Sequence, residues 1–216
     1  MKILPSISGT SASWSWELEP DDDLYLDRVA ETAILVSEAL QAHKLMDLNQ
    51  IEVHWLRKGH GFIEIRSVLS NSEGDKADAA ELVNRILASR PVRYTDAEPK
   101  KLVLSGPGCW VDAEGEEHRG HGLIEVTLFA TPGDIDVSLG VRHDIWSWYD
   151  FSGNAHPEIY RRNAPRLSAV LKEIEERLGT ETIPDEPTYF AIPEQYGIRI
   201  YPPNGNGRGF DASGQI

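Results

Sequence analysis

LIEVTLFATPGDIDVSLGVR, residues 123–142, alternates apolar and polar side chains on both sides of a turn at 131–134. An alternation with a period of two is typical of a β-strand with one buried and one solvated face, and a Pro-Gly pair is typical of a tight turn. The stretch therefore predicts an antiparallel hairpin in a sheet that has one face packed against helices. The side chains expected on its buried face are Ile124, Val126, Leu128, Ile135, Val137, Leu139 and Val141.

Three other segments carry apolar residues at spacings of three and four, which predicts amphipathic helices. The first follows the acidic run at 21–23, the second lies ahead of Pro91, and the third lies within 157–178. In the third segment we expect a short turn and then a main helix capped by Asn163, because Pro165 cannot donate a hydrogen bond inside a helix. Further strands are predicted at 51–55, 63–66, 187–192 and 197–201.

These elements predict an α+β fold with a mainly antiparallel sheet and about three helices packed on one face. Residues 1–201 are expected to form a single domain, since a chain of 216 residues is long enough to bury a full core. The last stretch, 202–216, is rich in glycine and polar residues and is expected to be a mobile tail.

An octapeptide occurs twice, as KGHGFIEI at 58–65 and as RGHGLIEV at 119–126. The glycines and the alternating end of each copy predict two hairpin turns of similar shape. A pair of equivalent histidines, His60 and His121, flanking one site is the alternative. Trp-Ser-Trp also occurs twice, at 14–16 and 146–148. We favour a chain built from three repeats of a helix followed by two or more strands, with insertions, over a tandem pair.

The chain carries 35 acidic and 21 basic residues, for a net charge of −14. Nucleic acid and anionic membranes repel such a chain, so neither is expected as a partner, whereas a basic protein is. No stretch reaches the roughly 18 apolar residues of a membrane span, and the N-terminus does not match a signal peptide. With Cys109 as its single cysteine the chain can form no internal disulfide, and a cytoplasmic location is expected.

Motifs for catalysis are weak. His118 and His121 follow an acidic run and have a spacing found in zinc sites, but two glycines loosen the segment. Cys109 has no adjacent cation that would activate it, and the sequence contains no nucleophile elbow, P-loop or dinucleotide fingerprint. We therefore expect no catalytic residues, no metal ligands and no cofactor.

A small, acidic α+β chain without a catalytic signature resembles bacterial toxin-immunity proteins in general character. This resemblance implies a non-catalytic intracellular inhibitor of a basic protein partner. The alternatives are a small hydrolase or metal-assisted enzyme that uses the His118 and His121 loop, and a ligand-binding or structural domain. The acidic residues expected to contact the partner are Glu114, Glu116, Glu117, Asp21, Asp22 and Asp23.

Overall fold

The computed structural model describes residues 6–19, 25–70, 78–131 and 133–215. Within these residues the α-helices are α1 (Tyr25–Ala42), α2 (Ala79–Ala88) and α3 (Pro157–Leu178). The strands are β1 (Ala12–Leu18), β2 (Gln50–Arg57), β3 (Gly61–Ser70), β4 (Glu98–Ser105), β5 (Pro107–Val111), β6 (Glu117–His121), β7 (Ile124–Thr131), β8 (Asp134–Val141), β9 (Ile183–Pro184), β10 (Pro193–Glu194) and β11 (Gly197–Ile198).

Seven strands form one antiparallel sheet in the order β3-β2-β4-β7-β8-β1-β9. The hairpin predicted at 123–142 lies in its centre as β7 and β8, with Val126 opposite Leu139. The seven side chains predicted to be buried there are each at most 1% exposed. The prediction of this hairpin is therefore confirmed.

The helices cover one face of the sheet. The buried strand residues fall on alternate positions, as in the 124–131 strand, and α1 packs against both α2 and α3. The α+β fold and the mainly antiparallel sheet are therefore confirmed, whereas the repeated helix-plus-hairpin unit is unconfirmed. No helix in the described part of the chain is long and apolar enough to cross a membrane.

The third helix is continuous, and the expectation of a separate turn before it was wrong. α3 begins at Pro157 after His156 and runs through Pro165. Proline there removes one hydrogen-bond donor. Burial of apolar side chains after it offsets that loss, at Leu167, Val170, Leu171, Ile174 and Leu178. Asn163 is fully buried inside the helix and does not cap it.

The two octapeptides adopt different structures, so the prediction of two similar hairpins was wrong for the second copy. The first copy forms the β2–β3 turn, where Gly59 and Gly61 have positive φ angles of 79° and 78°. In the second copy Gly120 lies within β6 opposite Gly108, and the chain then passes from β6 into β7. Glycine at 108 permits close packing there, because an added Cβ would lie 1.9 Å from the Leu45 carbonyl oxygen.

The strand predicted at 187–192 was wrong, since these residues form no strand, and the strand predicted at 197–201 is shorter than expected. The structure has only the two-residue strands β10 and β11 in this region, paired with each other. Prolines and exposed side chains leave the segment without a strand face to bury. The mobility of 202–216 stays a prediction; within its described part, the Gly209 N–H donates to the Gly153 carbonyl and the Ala212 N–H to the Phe151 carbonyl.

Candidate partner-binding loop

The glutamates at 114, 116 and 117 lie at the tip of a separate hairpin formed by β5 and β6. Val111 pairs with Glu117 at the end of this two-stranded sheet, and residues 112–116 connect the strands. Gly115 has a φ of 94°, which a glycine adopts without strain. We call residues 112–117 the acidic loop.

Asp112 holds the acidic loop from inside. Its side chain is buried, and its Oδ1 atom accepts hydrogen bonds from the backbone N–H groups of Glu114, at 3.0 Å, and Glu116, at 2.9 Å. Its Oδ2 atom lies 2.8 Å from Nε2 of His118. A short aspartate side chain that satisfies backbone donors fixes a turn locally, so the acidic loop has a defined conformation.

The two histidines of the segment do not converge. His118 is engaged by Asp112 and stacks on Trp110, with ring centroids 4.7 Å apart. His121 lies three residues further along β6, where an odd spacing directs side chains to opposite faces of a strand. Across the described ranges, no group of three or more His, Cys, Asp or Glu side chains could hold a metal ion.

All three glutamates are exposed, and basic side chains lie beside the acidic loop. Nζ of Lys44 is 3.2 Å from a carboxylate oxygen of Glu117, and both side chains are more than half exposed. Arg162 extends from α3 to the Ala113 carbonyl. These contacts reduce the local charge but leave the carboxylates exposed. Exposed ion pairs of this kind contribute little to stability.

The second predicted contact, formed by Asp21, Asp22 and Asp23, lies outside the described residues.

Asn163 and Arg166 of α3 also join the hairpin to the rest of the chain, and neither was predicted to make these contacts. Asn163 accepts a hydrogen bond from the Val111 N–H and donates to the Val111 and Ile159 carbonyls. Arg166 donates to the carbonyls of Cys109 and His43, and burial lowers the pKa of its guanidinium. The role of Asp112 in the turn could have been predicted from the sequence, since an aspartate three residues before a glycine is typical of a turn. The contacts across elements had no such signal.

Comparison with known proteins gives no further guide to the function. The chain matches no protein-family model, no curated protein and no solved structure. What the chain does must therefore be inferred from its own geometry.

Proposed function

We propose that the protein is a non-catalytic, cytoplasmic binding protein that inhibits a basic protein partner, in the manner of a toxin-immunity protein. The observation that carries the proposal is the acidic loop, in which three exposed glutamates are presented by a turn that Asp112 holds in place. We propose the acidic loop as one contact with the partner, and the run at 21–23 as a second.

A loop that is ordered before binding loses little conformational entropy when the partner arrives. Its carboxylates also attract a basic surface over distances comparable to the Debye length, about 10 Å at 0.1 M salt, which speeds the encounter. Both effects favour a rigid acidic hairpin over a mobile acidic tail as an inhibitor contact.

The position of the histidines supports a binding role over the metal-assisted alternative. His118 uses Nε2 to contact Asp112, while its ring stacks on Trp110. His121 lies on the opposite face of β6. An enzyme that used both would need its ligands or its acid and base to meet at one point.

The test compares two triple variants with the same change in net charge. In one, Glu114, Glu116 and Glu117 are changed to Gln. In the control, Glu81, Glu176 and Glu186 are changed to Gln; these acids are exposed and lie outside the acidic loop. Proteins captured by the wild-type chain from the source cells are identified, and association rates are measured at several salt concentrations.

We expect the acidic-loop variant to associate about 3 to 10 times more slowly at low salt and to show a flatter salt dependence, because exposed charge acts mainly on encounter. Its melting temperature should stay close to that of the wild type. The proposal is wrong for the acidic loop if the two triple variants have the same rates and salt slopes toward each captured protein.

A further inference from the structure

A concave surface lies beside the C-terminal segment, away from the acidic loop. A cavity of about 590 Å³ is bounded by residues 147–151, 188–191 and 198–212. Its size falls in the range of roughly 300–1,000 Å³ typical of small-molecule sites. Its walls are mainly aromatic and aliphatic, and all three segments contribute aromatic rings.

The aromatic walls are open to solvent. Tyr189 is 66% exposed and Phe210 is 64% exposed, and their ring centroids are 5.8 Å apart. Deeper in the cavity wall, Phe151 and Phe190 form an edge-on pair at 5.1 Å. Single exposed apolar side chains are common on protein surfaces, whereas a contiguous exposed apolar patch marks a binding site. The apolar side chains clustered in this concavity therefore indicate a binding site.

The cavity wall is held by hydrogen bonds that do not depend on a ligand. Phe151 donates its N–H to the buried carboxylate of Asp144. Gly209 approaches so closely that an added Cβ would lie 2.5 Å from the Tyr149 ring. These two contacts place the backbone of the wall at Phe151 and Gly209 without any ligand.

The charged residues of the lining are two basic residues and one acidic residue, Arg199, Arg208 and Asp150. The Asp150 carboxylate is already engaged, since it accepts backbone hydrogen bonds from Ser152 and Asn154. Arg208 donates one guanidinium N–H to the Ser152 carbonyl at 2.7 Å, and a guanidinium carries five N–H donors in all. Arg199 is already paired with Glu194, its Nε lying 2.9 Å from Oε1. Arg208 is therefore the lining residue that offers a cation to an anionic ligand.

We propose that this cavity binds an organic anion with a flat apolar body, such as an aromatic carboxylate. The rings of Tyr189 and Phe210 contact the body, and Arg208 binds the carboxylate through a charge-assisted hydrogen bond. This ligand site is separate from the acidic loop and does not depend on the inhibitor proposal.

The test uses two probes that share one ring system, 2-naphthoate and the neutral 2-naphthol. Binding to the full chain is measured by calorimetry. We expect one 2-naphthoate per chain, with at least fivefold weaker binding of 2-naphthol. Tyr189→Ala and Phe210→Ala should each weaken 2-naphthoate at least threefold, and Phe62→Ala, an exposed ring on β3, should not.

The role of the cation is tested by Arg208→Gln and Arg208→Lys. The Gln variant should bind the two probes equally, and the Lys variant should keep most of the preference for 2-naphthoate, because it retains the charge. The melting temperature of each variant separates a lost site from lost folding.

Three results would overturn the proposal. The first is no saturable binding of 2-naphthoate, and the second is equal affinity of the wild type for both probes. The third is self-association of the wild type that Tyr189→Ala abolishes in sedimentation, since a second copy would then be the occupant of the cavity.

Discussion

Single buried side chains set the core of the sheet. Val126 is fully buried and lies opposite Leu104 on one neighbouring strand and Leu139 on the other. Thr127, the next residue, lies on the half-exposed face of the same strand. Substitutions at Val126 and Thr127 therefore compare the two faces of β7 at adjacent positions.

Val126→Ala should lower the free energy of unfolding by about 1–3 kcal/mol, because buried apolar surface is lost and a cavity remains. Thr127→Ala should lower the free energy of unfolding by clearly less, since the Thr127 side chain is not in the core. Chemical denaturation midpoints at a fixed slope measure both changes. A Val126→Ala midpoint within error of the wild type would mean that the core face was wrongly assigned.

At the scale of elements, one polar side chain connects α3 to the β5–β6 hairpin. Asn163 is fully buried, and its amide bonds to both the N–H and the carbonyl of Val111. The amide therefore satisfies both backbone groups of Val111, as a neighbouring strand would. A buried side chain that satisfies two backbone groups is costly to remove, because both groups are then left without a partner.

Asn163→Ala should lower the free energy of unfolding by about 2–4 kcal/mol, from two unpaired backbone groups and a small cavity. The hairpin should also loosen, so amide exchange at Val111 should accelerate more than exchange in β7. Glu176→Ala, an exposed site on the same helix, is the control. Equal exchange of Val111 in the wild type and in Asn163→Ala would contradict this role.

At the scale of the whole molecule, the C-terminal segment is tied to the domain by polar contacts. The buried indole N–H groups of Trp14 and Trp16 donate to the Glu194 carbonyl and the Thr182 hydroxyl. Glu175 on α3 accepts hydrogen bonds from the Tyr196 hydroxyl, at 2.7 Å, and from the Thr182 N–H, at 2.8 Å. These bonds, led by that from Tyr196, lower the pKa of Glu175 below its ordinary 4.5.

A lowered carboxyl pKa stabilises the folded chain at pH values above about 4.5, and this contribution is lost as the pH falls through the folded-state pKa. Glu175→Gln should therefore lower the free energy of unfolding at neutral pH, because the hydrogen bonds to a charged carboxylate are lost. The loss should be only about 1 kcal/mol, because the carboxylate is partly exposed. The difference between the wild type and the variant should shrink as the pH falls below 4.5 and through the lowered folded-state pKa. Urea denaturation across this range measures it, and a difference that is independent of pH would contradict the assignment.

The sequence by itself determined the α+β class, the central hairpin and the buried stripes of α1 and α3. These features are local: a period of two or of three to four residues is enough to place apolar side chains on one face. The length of α3 could not be judged in this way. Pro165 argued for a break before Asn163, whereas the buried contacts of Asn163 and of the apolar residues after Pro165 keep the helix continuous.

Only the tertiary structure decided how distant segments meet. The Asn163 contact spans 52 positions, and the cavity takes its walls from three separate segments. The second octapeptide matches the first, which forms a hairpin turn, yet it spans the end of β6 and the start of β7, which pair with different strands. Such contacts depend on how packed elements approach one another, and no short stretch of sequence contains that information.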